Sequence, residues 1–133
     1  MELTLDDETN WTVAWAEPGQ SEALLVGAGR IEALRPIHME LTRRDRSADH
    51  PWSQAVNNTI VDVGARWQIA EDGVPPTPWM LRFTFARVGL VVALGELTGN
   101  GPTYMPDELV ATFDRQAANG YSIPAAIDDS FYP

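Results

Sequence analysis

The residues that most constrain this chain are 79–97, WMLRFTFARVGLVVALGEL, where large apolar side chains crowd together with few charges. A run of this kind either crosses a membrane or forms the middle of a core. Arg82 and Arg87 interrupt it well short of the ~18 uninterrupted apolar residues that a spanning helix needs. Gly89 offers a turn, so two strands are expected. Leu81, Phe83 and Phe85 alternate with Arg82 and Thr84, the period of a half-buried strand, whereas LVVALGEL is apolar on both faces, as an inner, covered strand would be.

The 133 residues fit one domain, 1–133, and can bury a core without disulfides or a structural metal. The chain has no cysteine, which removes thiol nucleophiles, iron–sulfur clusters and Cys-ligated zinc. The acidic start, MELTLDDETN, lacks the basic and apolar regions of a secretory signal, so a cytoplasmic protein is expected. Nineteen acids oppose nine bases, a net charge of −10. Such a chain is repelled by nucleic acid and by anionic membranes, so neither is expected as a direct partner. Every base is arginine, a pattern explained by GC-rich coding bias or by selection against lysine modification.

Before the central stretch, residues 2–6 and 11–17 alternate in polarity and read as two paired strands, with Trp11, Val13 and Trp15 on one face. Residues 22–34 read as a hairpin turning at Gly27 to Gly29, because two glycines would cost a short helix roughly 2 kcal/mol. Residues 37–44 alternate again, Ile37, Met39 and Leu41 against His38, Glu40, Thr42 and Arg44. The period then changes to 3.6. Trp52, Val56, Ile60, Val63, Trp67 and Ala70 form one stripe of a helix opened by Pro51 and ended by Gly73, with Asp62 four residues before Arg66 as a surface pair.

A second helix is expected after the TGNGPTY loop, with Pro106 near its first position, Asp107 and Glu108 in its first turn, and Gly120 after its end. Leu109, Val110, Phe113 and Ala117 supply its inner face. Residues 121–133 read as an irregular apolar tail. The expected fold is therefore α+β: a curved, mainly antiparallel sheet of about six strands with two helices packed on one face, in the order β-β-β-β-α-β-β-α.

Few residues suggest chemistry. LLVGAGRIE resembles the opening of a dinucleotide-binding fingerprint, but Glu32 stands where the third glycine belongs and Pro36 cuts the following helix. TGNGP suits a helix cap better than an anion cradle, since Asp107 and Glu108 already occupy the field at that helix start. His38 and Glu40 lie about 6.6 to 7 Å apart on one side of a strand. With Arg44, and with Asp49 and His50 nearby in sequence, they form a possible catalytic or ligand-binding row, a histidine base beside a carboxylate with an arginine for an oxyanion. The same alternation is also an ordinary solvated sheet face. Of the five tryptophans, Trp52 and Trp67 fall on the helix stripe and are expected in the core. Trp11 and Trp15 fill the core or floor an apolar site.

Two functions follow as expectations. The first is a small acidic, non-catalytic interaction protein, such as an inhibitor, an immunity or anti-defence protein, or a phage or secretion assembly subunit. It would bind another, basic protein or itself through Trp11, Trp15, Phe131 and Tyr132. The second is a small enzyme or ligand-binding protein with a pocket lined by His38, Glu40 and Arg44. Neither requires a metal or a cofactor.

Overall fold

A computed structural model describes residues 1–16, 23–30, 33, 45–68, 76–105 and 107–121. In chain order it contains β1 (Glu2–Thr4), β2 (Asn10–Ala16), β3 (Ala23–Ala28), a single 3-10 turn at Trp52–Gln54, β4 (Ile60–Gln68), β5 (Thr77–Phe85), β6 (Gly89–Leu94), β7 (Glu96–Thr98), β8 (Gly101–Thr103), β9 (Leu109–Thr112) and the short helix α1 (Arg115–Gly120). The strands form three antiparallel sheets, ordered β1-β2-β3, β4-β5-β6-β9 and β7-β8.

The central stretch is the core. It folds as the β5–β6 hairpin, closed by a hydrogen bond from the Phe85 N–H to the Val88 carbonyl, and Thr84 pairs with Gly89. Trp79, Met80, Leu90, Val92 and Leu94 are fully buried. As an inner strand, β6 pairs with β5 and β9 and is buried on both faces, Val91 and Ala93 included. Strand β3 packs on β5 and β6, and α1 packs on β6, β8 and β9. The cover over β6 therefore comes from both ends of the described chain.

The expected α+β sandwich is overturned. Strands make up 53% of the described residues, and among those residues no pair of helices lies on a six-stranded sheet. The helix expected over residues 52–70 is a 3-10 turn followed by strand β4. The physical reason lies in the same letters. IVDVGARWQ carries a period of two as well as a period near 3.6, and its β-branched residues and Gly64 disfavour helix. Asn57 adopts a left-handed conformation (φ 59°) just before it, which stops any helical turn from propagating.

The second expected helix is also replaced. Its proposed inner face at Leu109 and Val110 lies on β9, which pairs Val110 with Ala93 and Leu109 with Leu94. Helix begins only at Arg115, where the Asp114 carboxylate accepts from the Gln116 and Ala117 backbone N–H groups. The TGNGP loop is the tight β7–β8 turn, with Thr98 opposite Gly101. The paired strands expected at the amino end are present as β1 and β2, and β3 continues that sheet with Val13 opposite Val26. The strand expected over 37–44, most of the second arm of the 22–34 hairpin, and the tail after Tyr121 lie outside the described residues.

Gly95 joins β6 to β7 at a point where only glycine fits. Its φ is 127°, and a Cβ placed there would stand 2.5 Å from both the Thr103 carbonyl oxygen and the Tyr121 hydroxyl. That closeness lets Tyr121 reach over the strand end and donate its hydroxyl proton to the Leu94 carbonyl.

Candidate interaction surface

Strand β4 faces the opposite way from what its hydrophobicity suggests. Val61, Val63 and Trp67 are 63%, 50% and 37% exposed, while Arg66 is only 6% exposed and Gln68 is also buried. Arg66 is held by specific contacts. One guanidinium nitrogen donates to the Tyr121 carbonyl oxygen at 2.9 Å, and the guanidinium carbon lies 5.9 Å from the centroid of the Trp79 ring. Trp79 meets Tyr121 edge-on, with centroids 5.6 Å apart.

The expected Asp62–Arg66 helix pair does not form. In a strand these residues lie far apart along the backbone, and Asp62 instead accepts from Arg82 of β5 at 2.8 Å, in a partly exposed position. With the polar residues of β4 engaged by the rest of the molecule, its apolar row is left to solvent. Among the described residues no strand lies beyond β4, so this row stands on the edge of the four-stranded sheet. A long apolar edge strand is a template for further pairing, which proteins commonly blunt with lysine, proline or bulges. Here no lysine is available. Bulges flank the middle of the strand, between Ile60 and Asp62 and between Arg66 and Trp67, but from Asp62 to Arg66 the register is regular.

The two tryptophans considered for a binding site, Trp11 and Trp15, differ in exposure. Trp11 is 43% exposed on β2, opposite Ala28 of β3. Trp15, about 13 Å further along the strand, packs against the core with its indole N–H buried and unpartnered among the described residues. Buried Val13 lies between them. Trp67, expected in the core, is on the exposed β4 row, whereas Trp52 does pack inward, edge-on to Phe113 at 5.0 Å. Sequence reasoning missed Val61 and Val63 as surface residues. The available signal was the alternation of Val61, Val63, Ala65 and Trp67 with Asp62, Gly64, Arg66 and Gln68.

His38, Glu40, Arg44, Phe131 and Tyr132 lie outside the described residues. His50 shares a 2.8 Å hydrogen bond with the Gln54 side-chain amide, and Asp49 pairs loosely with Arg46 at 3.5 Å. An open depression of about 350 Å³ is lined in part by Asn100, Asp114, Gln116 and Tyr121. Its one carboxylate already caps α1. Among the described residues no three His, Asp or Glu side chains are grouped to hold a metal ion, and no helix is long and apolar enough to cross a membrane.

No known protein family matches the chain, and no curated protein or solved structure is detectably similar to it.

Proposed function

We propose that this chain is a small acidic, non-catalytic interaction protein that acts through protein–protein contacts made by the β4 edge. The observation that carries the reading is the exposed apolar row of Val61, Val63 and Trp67 on a strand with no neighbour on one side among the described residues. Apolar side chains in a row on an open sheet edge favour a partner that adds a strand and covers them, since main-chain hydrogen bonds and burial then act together. The net charge of −10 keeps such a protein dispersed until the partner arrives and steers it away from nucleic acid. Inhibitors, immunity or anti-defence proteins and assembly subunits are the classes that fit this description.

The test compares immobilised wild-type protein with Val63→Glu in a lysate of the native cells at physiological salt, alongside sedimentation of each purified protein. The reading expects the wild type to self-associate or to retain a partner, and Val63→Glu to lose that association with an unchanged circular dichroism spectrum. A wild type that sediments as a monomer and retains nothing that the variant does not would overturn it.

A further inference from the structure

We draw no further inference here: the strongest candidate, the exposed apolar row of Val61, Val63 and Trp67 on β4, is without a neighbouring strand only among the described residues, and nothing in the structure shows what covers it.

Discussion

Arg66 donates a 2.9 Å hydrogen bond to the carbonyl oxygen of Tyr121, 55 residues later in the chain, and lies over the ring of Trp79. This contact ties the edge strand β4 to the end of α1. Arg66→Ala is expected to destabilise the protein by roughly 2–3 kcal/mol, from the lost charged hydrogen bond and the lost packing of the side-chain stem. Arg66→Met, which keeps much of the stem, should cost less. Urea denaturation of the two variants checks both the loss and its order.

At Gly95 the constraint is steric on two sides. Gly95→Ala is expected to cost about 3 kcal/mol, from the positive φ and from crowding of the Thr103 carbonyl and the Tyr121 hydroxyl. Adding Tyr121→Phe removes one clash but leaves the other, and gives up the bond to the Leu94 carbonyl. The double variant should therefore recover little of the lost stability in thermal unfolding. Full recovery would show that the Thr103 carbonyl is not the limiting contact.

Position on the sheet, more than side-chain type, should decide the cost of apolar substitutions. Leu94→Ala, at a fully buried site on β6, is expected to cost roughly 2–5 kcal/mol. Val63→Thr, half exposed on β4, should stay within about 0.5 kcal/mol for the monomer, measured at protein concentrations low enough to prevent association. A large loss at Val63 under those conditions would mean that the row is covered from within the chain.

How far the sequence revealed this arrangement differed from strand to strand. The β5–β6 hairpin was legible because its apolar density exceeds that of any other segment and the residues before Gly89 can turn. β2 was legible from the alternation of Trp11, Val13 and Trp15. β4 was not, because Trp52, Val56, Ile60, Val63 and Trp67 happen to fall at helical intervals while the adjacent residues also alternate. The choice between the two periods was made by β-branched crowding, Gly64 and tertiary packing around Arg66. Its facing was even less accessible, since hydrophobicity points Val61 and Val63 inward and the contacts of Arg66 turn them out. β9 was hidden in the same way, because Leu109 and Val110 suit either a short helix or a strand that completes β6. Of the residues first considered for binding, Trp11 keeps an exposed face and Trp15 turns inward.

The α1 cap offers a local test. Asp114→Ala removes the acceptor for two backbone N–H groups and is expected to cost about 1 kcal/mol, whereas Asp114→Asn should retain most of that. Because α1 packs on β6, β8 and β9, amide exchange around Tyr121 should accelerate in the alanine variant before global unfolding changes.

Acid should weaken the turn before β2 only below the ordinary aspartate range. The hydroxyl of Thr9, and then its backbone N–H, donate to Asp7 and hold its carboxyl below the usual aspartate value. The folded pKa is depressed, so this contribution is present above the unfolded value and is lost as pH falls through the lower folded one. In a carboxyl NMR titration the Asp7 midpoint should lie below the ordinary 3.8 and rise toward it in Thr9→Ala, which removes the hydroxyl donor but keeps the backbone one.

The double cover of β6 has a consequence for how the chain emerges from the ribosome. Strand β3 is made early, yet the surface it packs on belongs to β5 and β6, and the residue that ties β4 and β6 together is Tyr121. Closing contacts across such spans requires large loops to be ordered before packing rewards them, which slows folding. During synthesis the residues of β3 that end up buried, Ala23 and Leu24, must therefore wait, exposed, for partners not yet translated. In that interval the acidic residues spread along the chain serve to keep nascent copies apart.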